Sequence, residues 1–181
     1  AAQPELWKQI TARQDTHGSP HHDTECIFLR WCPDRTVEAA FYQLETVDYQ
    51  AAEALMPEVS EVVLALLESI GERHTNNPIG RVILTKLKSG GYIDTHMDEG
   101  LYADHFDRFH VCLDADHGNL FTVDGQSFEA RAGEAWWFNH KRTHSVINAS
   151  SRDRLHLIVD LVAQANCGIT AATIANGTEF E

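Results

Sequence analysis

The chain has 181 residues, of which 43% are apolar and 23% are charged. This size and composition suit a single globular domain and exclude disorder of the whole chain, and no apolar stretch reaches the roughly 18 residues that a membrane span needs. With 14 basic and 27 acidic residues the formal net charge is −13, so the protein is expected to repel both nucleic-acid backbones and anionic membranes.

Cysteine usage and the N-terminal stretch bear on the cellular compartment. The cysteines Cys26, Cys32, Cys112 and Cys167 are widely spaced and form no C-x-x-C pair. A chain of this length needs no disulfide bond to fold, so we expect reduced thiols in a cytoplasmic protein. Residues 1–10 show no basic region followed by an apolar run, and they predict no secretory signal.

The first part of the chain is predicted to be mainly helical. Glu5–Gln14 is predicted as a short helix that starts after Pro4, and Cys26–Trp31 as a strand. Loose alternation indicates another strand over Phe41–Tyr49. Apolar residues at helical spacing predict the clearest helix over Leu55–Ile70.

From Arg81 onward the pattern changes to short strands separated by turn residues. The predicted strands are Val82–Leu87, Tyr92–His96, Arg108–Leu113, Leu120–Val123, Gln126–Arg131, Glu134–Phe138, His144–Ile147 and Arg154–Val162. Asp124-Gly125 between two of these strands is a strong signal for a two-residue hairpin turn. Short strands at such regular spacing are typical of a sandwich, a jelly roll or a barrel.

The predicted fold is therefore mainly β with N-terminal helices around a double-layered antiparallel core. We expect one domain over residues 1–162, with a helical N-terminal third at 1–80 and a β core at 81–162. The predicted helix Leu55–Ile70 would cover one sheet face. Residues 163–181 lack periodicity and are expected to form a loose tail.

The sequence His96-Met97-Asp98 ends one of the predicted strands. Residues i and i+2 of an extended segment point to the same side, so an imidazole and a carboxylate converge there. Two histidines and one carboxylate form the facial triad of non-haem Fe(II) enzymes. His144, which opens a later strand, is the best candidate for the third ligand. The competing interpretation is a chance H-x-D without a metal.

Arg154 enters a strongly apolar strand, where an arginine is costly unless it meets an anion. One interpretation is a structural pair with Asp153 or Asp160. The other is a bound dicarboxylate beside the metal, since a carboxylate is the best bidentate partner of a guanidinium. Arg108 and His110 share one strand face and could contact the same anion; the alternative is a core histidine and a rim salt bridge.

Other polar residues are candidates for substrate contacts. Residues 21–23 form a second H-x-D motif in a loop before the β core, where His22 could belong to a lid that touches the substrate. Arg30, Arg35 and Arg108 could each pair with a substrate carboxylate, and the sequence does not select among them. The chain shows no glycine-rich phosphate loop, no G-x-S-x-G elbow and no cysteine spacing for structural zinc.

Four sequence blocks carry a resemblance to a known family. They are the strand, turn and strand of Arg81–His96, R-F-H-V-C-L at Arg108–Leu113, G-E-A-W-W-F-N-H at Gly133–His140, and His144–Asp160. In these blocks the chain resembles the aspartyl/asparaginyl β-hydroxylases, a branch of the 2-oxoglutarate- and Fe(II)-dependent oxygenases with a double-stranded β-helix core, which is a jelly-roll, cupin-like fold. The resemblance covers roughly the C-terminal half, and the N-terminal third matches less well.

The resemblance implies roles for the candidate residues. His96 and His144 match the two iron-ligating histidines, and Asp98 is then the carboxylate ligand. Arg154 matches the arginine that holds the distal carboxylate of 2-oxoglutarate, and Thr85 takes the place of a hydroxyl residue that assists it.

The same resemblance bears on Arg108, His110 and Asp98. Arg108 and His110 match an arginine-x-histidine block that contacts the co-substrate. Vertebrate members have glycine at the position of Asp98, so this chain resembles the ordinary type with two histidines and one carboxylate. A carboxylate ligand also argues against a halogenase, which needs that position vacant for halide.

The expected function is hydroxylation of an unactivated C–H bond with Fe(II), 2-oxoglutarate and O2, releasing succinate and CO2. The expected target is the β-carbon of an amino acid or of an aspartyl/asparaginyl-type residue in a peptide or protein. Two alternatives stay open. One is a cupin-type metal enzyme that does not use 2-oxoglutarate, and the other is a non-catalytic jelly-roll binding module.

Overall fold

The computed structural model of the protein describes residues 4–34, 36–70 and 79–163. The helical segments are a 3-10 helix at Pro4–Lys8, α1 at Ala12–Asp15, α2 at Val37–Tyr42, α3 at Gln50–Ile70 and α4 at Leu101–His105. The strands are β1 at Thr24–Trp31, β2 at Val47–Asp48, β3 at Ile79–Leu87, β4 at Tyr92–His96, β5 at Phe106–Asp114, β6 at Asn119–Val123, β7 at Gln126–Glu129, β8 at Ala135–Trp137, β9 at His144–Asn148 and β10 at Arg154–Val162.

The strands form two antiparallel sheets. The larger sheet has the order β2-β1-β3-β10-β5-β8, and the smaller sheet has the order β4-β9-β6-β7. Neighbours such as β3 and β10 are far apart in the chain, as expected where the strands of a jelly roll cross between two layers. The predicted fold class, a mainly β chain with N-terminal helices and a double-stranded β-helix core, is confirmed.

Side chains of the larger sheet sort by the period of two that a strand imposes. One face is apolar and is covered by α3, whose Val59, Val63 and Leu66 are buried against it. The sheet residues in this cluster are Ile27, Leu29, Val82, Leu84, Phe109, Val111, Leu157, Val159 and Leu161. The predicted covering of one sheet face by this helix is therefore confirmed.

The alternate positions of the same strands point between the two sheets, and many of them are polar. The buried polar residues of this inner face are Arg81, Thr85, Arg108, His110, Arg154, His156 and Asp160. Burying so many polar and charged groups is costly unless each has a partner or a ligand. The inner face is therefore the place to look for a site.

The hairpin predicted at Asp124-Gly125 is confirmed. Both residues have positive φ, 48° and 80°, as a type I′ turn between β6 and β7 requires. The turn fixes the register of the smaller sheet, in which β6 also pairs with the strand that begins at His144.

Two predictions for the N-terminal part are wrong. The stretch Phe41–Tyr49 contains no long strand, because Thr36 caps a helix there by accepting a hydrogen bond from the Ala39 amide, and only β2 follows. The single helix predicted at Glu5–Gln14 is split into a 3-10 helix and α1, and a new helical turn starts at Thr11.

Several other expectations can be compared with the described residues. Cys26, Cys32 and Cys112 are buried free thiols, while Cys167 and the predicted tail from residue 164 onward lie outside the described residues. Among the described helices, none combines the length and the apolar character needed to cross a membrane.

Candidate active site

Three side chains meet at one end of the smaller sheet. His96 ends β4 and His144 begins β9, and the two residues are opposite each other in the antiparallel pair. Asp98 follows two residues after β4, where its amide donates to the carbonyl oxygen of His140. One ligand atom from each of the three residues lies within 4.8 Å of the other two. This arrangement has the donor set of a facial metal triad.

Backbone carbonyl groups orient both histidines. Nδ1 of His96 lies 2.7 Å from the carbonyl oxygen of Asp94, and Nδ1 of His144 lies 2.9 Å from that of Arg142. Each Nδ1 therefore carries the proton, which leaves Nε2 free to bind a metal. Burial lowers the pKa of His96 and lowers the pKa of His144 to about 4, so both rings are neutral at pH 7.

Asp98 is held by two donors on one oxygen. Its Oδ2 lies 2.6 Å from Nη1 of Arg108 and 3.1 Å from Nδ1 of His140, while Oδ1 lies 3.9 Å from Nε2 of His96. Burial opposes the charge, but Arg108 and the hydrogen bond with His140 hold the pKa of Asp98 well below its usual value. The carboxylate is thus ionised, and Oδ1 is the oxygen available to a metal.

Arg108 has a structural anchor of its own. Its Nε and Nη2 donate to the two oxygens of Asp160, each at 2.9 Å, in a bidentate pair across neighbouring strands. Burial works against the charge, but Asp160 and Asp98 raise the pKa of Arg108. With two carboxylates already bound, this guanidinium is committed to positioning Asp98.

Arg154 has no such partner among the described residues. It is 4% exposed, its Nε and Nη1 have no hydrogen-bond partner, and Nη2 reaches only Nδ1 of His156 at 3.2 Å. Burial lowers its pKa to about 10, which still leaves it charged at pH 7. The aspartates considered as structural partners lie elsewhere: Asp160 binds Arg108, and Asp153 accepts from the amide of Ser89.

Arg154 lines a narrow cavity of about 40 Å³ that also contains the triad, Thr85 and His110. Within the described part of the chain, neither ring nitrogen of His110 has a hydrogen-bond partner, and the Thr85 hydroxyl donates to the carbonyl oxygen of His156 at 3.4 Å. Burial, aided by Arg108, holds the pKa of His110 well below its usual value. A cation and neutral donors left unpaired beside a metal triad suit a dicarboxylate ligand that also binds the metal.

A wider cleft of about 400 Å³ adjoins the triad. The N-terminal segment contributes Arg13 and His21 to its wall, and β3 contributes Arg81. Sequence reasoning gave no role to Arg13 or Arg81, although Arg81 has the same strand parity as Thr85 and this signal was available. It had His21 only as part of the candidate lid at residues 21–23. His140 was also missed, because its contact with Asp98 joins segments that are far apart in the chain.

The remaining substrate candidates are placed outside this cleft or outside the described residues. His22 is 40% exposed and lies 3.7 Å from a carboxylate oxygen of Asp94, and its neighbour His21 is the one that lines both cavities. Arg30 binds Asp48 at 2.8 Å. Arg35 lies outside the described residues.

Comparison with known proteins agrees with this geometry. A jelly roll whose inner face carries a triad of two histidines and one carboxylate defines a class of metal-dependent enzymes. Residues 7–164 match the aspartyl/asparaginyl β-hydroxylase family, and the chain belongs to that family.

Individual relatives are more distant. L-Proline cis-4-hydroxylase from Rhizobium meliloti (strain 1021) is 26% identical over 110 residues, which cover 61% of this chain and 37% of that protein. The match thus spans little more than a third of the length of that relative.

Similar solved structures include a predicted oxalate decarboxylase from Thermotoga maritima, with 19% identity, a TM-score of 0.39 and coverage of 47% of this chain and 68% of that one. A cupin protein from Bacteroides fragilis has 18% identity, a TM-score of 0.40 and coverage of 54% and 75%. Because these TM-scores are low, the fold is assigned from the strand topology described above.

Proposed function

We propose that this chain is a non-haem iron hydroxylase that uses 2-oxoglutarate and O2 and releases succinate and CO2. The observation that carries the proposal is the buried guanidinium of Arg154, which lacks a carboxylate partner and shares a narrow cavity with the triad. The distal carboxylate of 2-oxoglutarate would satisfy it. A cupin-type metal enzyme without 2-oxoglutarate would have no use for this cation.

The donor set fits the iron that this function requires. His96, Asp98 and His144 would hold Fe(II), a metal that two imidazoles and one carboxylate suit and that keeps open positions in such a triad. When bound, the iron with 2-oxoglutarate supplies the oxidising power for C–H hydroxylation.

The other residues of the site would bind and orient. Arg154 would hold the distal carboxylate of the co-substrate through two charge-assisted hydrogen bonds, with Thr85 and His110 beside it. Arg108 would keep Asp98 ionised and turned so that only one oxygen reaches the metal. The aromatic rings of Phe121 and Phe138, packed on His144, would keep this end of the cavity dry.

We further propose that the hydroxylated molecule is an amino acid, free or within a peptide or protein, oxidised at an unactivated carbon such as the β-carbon. The wide cleft beside the triad has room for a group of that size. The relative named above acts on L-proline, so L-proline belongs among the first compounds to test.

The test is succinate release. The protein is incubated with Fe(II), 2-oxoglutarate and O2 together with each compound of a panel of L-amino acids and of aspartyl and asparaginyl peptides. Succinate formation that depends on one compound, with a mass increase of one oxygen atom in that compound, is the expected result. Asp98→Ala, which removes one metal ligand, should abolish both signals. Succinate release equal in Asp98→Ala and wild type would contradict the proposal.

A further inference from the structure

A second buried arginine in the site has no carboxylate partner. Arg81, at the start of β3, is 3% exposed and lines the wide cleft next to the triad. No carboxylate of the described residues lies within ion-pair distance of it, while Arg30 and Arg108 are each paired with an aspartate. A buried cation without an anion is costly, so its partner is expected to come from outside the chain.

The surroundings of Arg81 hold the guanidinium in place without neutralising it. It is sandwiched between two aromatic rings, 4.0 Å from the ring centre of Trp31 and 3.3 Å from that of Tyr102. Nη2 donates to the carbonyl oxygen of Ala40 at 2.7 Å, and Nε is buried with no hydrogen-bond partner among the residues that the structure describes. Burial lowers the pKa of Arg81, and the opposing effects of Tyr102 and of the more distant Asp160 do not offset it.

The register of β3 separates this cation from the co-substrate end of the site. Arg81 and Thr85 are four residues apart and share a face, which places their Cα atoms roughly 13 Å apart. Thr85 lies in the narrow cavity with Arg154, whereas Arg81 lies in the wide cleft, and His96 and Asp98 line both. The two unpaired arginines therefore flank the metal triad from two sides.

We propose that Arg81 binds a carboxylate of the substrate and so determines which molecules enter the cleft. This inference rests on the proposed function and adds the substrate class, a small molecule or residue with a free carboxylate. The cleft holds two other arginines. Arg108 is already paired with Asp98 and Asp160, and Arg13 is half-buried and donates to Nε2 of His21 at 2.8 Å. Arg81 is the better anchor because burial leaves it no solvent.

The carboxylate can be the α-carboxylate of a free amino acid or the side chain of an aspartyl residue, and binding experiments distinguish the two. Protein loaded with Fe(II) and 2-oxoglutarate is titrated by calorimetry without oxygen. The probes are the standard L-amino acids, their α-methyl esters, and the N-acetyl methylamides of aspartate and asparagine. If the ligand is a free amino acid, esterification should abolish its binding. If the ligand is an aspartyl side chain, the aspartate amide should bind and the asparagine amide should not.

The variants test the role of Arg81 itself. Arg81→Gln should weaken binding of the probe by about tenfold to a hundredfold, because one charge-assisted contact is lost. The affinity of Arg81→Lys should lie between those of Arg81→Gln and wild type. Affinity for 2-oxoglutarate should stay unchanged, and this reports that the variant is folded. Arg30→Gln, which removes an arginine of the neighbouring strand that is bound to Asp48, is the matched control and should bind the probe like wild type.

Several results would overturn the inference. The first is that the protein binds 2-oxoglutarate but none of the carboxylate probes. The second is that an acid and its neutral counterpart bind with equal affinity. The third is that Arg81→Gln binds the probe as tightly as wild type does. Loss of probe binding in Arg13→Gln rather than in Arg81→Gln would show that Arg13, and not Arg81, binds the carboxylate. Failure of wild type to bind 2-oxoglutarate at all would overturn the proposed function itself. If Arg81→Gln does not fold, Arg81→Lys and the ester comparison decide.

Discussion

At the scale of single residues, the site is defined by which buried charges have partners. Asp98 and Asp160 both form ion pairs with Arg108, so each charge in this cluster has a partner. Arg154 and Arg81 are buried cations to which the described part of the chain offers no carboxylate. A protein retains such groups at a cost in stability, and the cost is recovered when a ligand binds. The unpaired arginines are thus the residues most directly tied to ligands.

The first prediction concerns Arg154. Arg154→Met should weaken 2-oxoglutarate binding by about a hundredfold or more, because two charge-assisted hydrogen bonds to the distal carboxylate are lost, each worth about 1.5–3 kcal/mol. Calorimetric titration of the Fe(II)-loaded protein without oxygen measures the effect. Arg152→Met is the matched control, since that side chain is 59% exposed and pairs with Asp114 at the surface. Equal losses in both variants would show that Arg154 does not hold the co-substrate.

The second prediction concerns the buried ion pair. Asp160→Asn should lower the free energy of unfolding by about 3 kcal/mol, because it removes the carboxylate that neutralises Arg108 while leaving the guanidinium buried. Urea unfolding of the metal-free protein measures the change. Asp48→Asn removes the exposed carboxylate that pairs with Arg30 and should cost less than about 1 kcal/mol. A cost for Asp160→Asn no larger than for Asp48→Asn would refute the structural role assigned to it.

The third prediction is a pH dependence of stability. Burial, followed by the charge of a nearby arginine, holds the pKa values of His110 and His156 well below 6.5 in the folded state. Below pH 6.5 the unfolded chain therefore binds more protons than the folded protein. The stability that these neutral histidines contribute is fully present above pH 6.5 and is lost as the pH falls below it. Lowering the pH from 7.5 to 5.5 should therefore reduce the free energy of unfolding by about 1.4 kcal/mol for each such histidine.

Urea unfolding of the metal-free protein at these two pH values checks this expectation. His117→Gln serves as the control because that ring is 92% exposed and should not change the pH dependence. A free energy of unfolding that is constant from pH 7.5 to 5.5 would mean that the buried histidines are not held neutral.

Sequence spacing named His96, Asp98 and His144 as a candidate triad but left a chance H-x-D open, and the structure brings their ligand atoms within 4.8 Å of one another. Sequence spacing could not assign the partner of Asp160. That aspartate seemed available to Arg154, but the register of β10 against β5 places it opposite Arg108. Such register depends on contacts between segments that are far apart in the chain, which local patterns do not contain.

At the scale of elements, the two-residue period of the central strands determines which side chains face the core and which face the site. Each strand of the larger sheet presents apolar residues to α3 and polar residues to the site. The strand Arg154–Val162 was predicted with the bounds that the structure shows, because its apolar run is long and clearly delimited. The helix α2 was missed, because its six residues are too few to show helical periodicity and its cap Thr36 is the main signal.

The fourth prediction tests the packing of α3. Leu66→Ala should lower the free energy of unfolding by about 2–5 kcal/mol, since Leu66 is 3% exposed within the core beneath the helix. Leu64→Ala, two residues earlier in the same helix, changes a side chain that is 58% exposed and should cost less than about 0.5 kcal/mol. Similar costs for the two variants, measured by urea unfolding, would place a different face of α3 on the sheet.

At the scale of the whole molecule, the β core and the N-terminal part divide the site between them. The core supplies the triad and the unpaired Arg154, which the sequence blocks from Arg81 onward already indicated. The segment around Arg13 and His21 contributes to the wall of both cavities. The loop of residues 21–23 was a candidate lid, but the place of Arg13 could not be predicted, because it depends on contacts between segments that are far apart in the chain.

The most direct test of the central claim is the visible absorption spectrum of the protein loaded with Fe(II) without oxygen, before and after addition of 2-oxoglutarate. A keto acid that chelates Fe(II) gives a weak charge-transfer band. We expect this band in wild type, its loss in His96→Ala and its appearance only at higher 2-oxoglutarate concentration in Arg154→Met. Absence of the band in wild-type protein with confirmed iron occupancy would contradict the account.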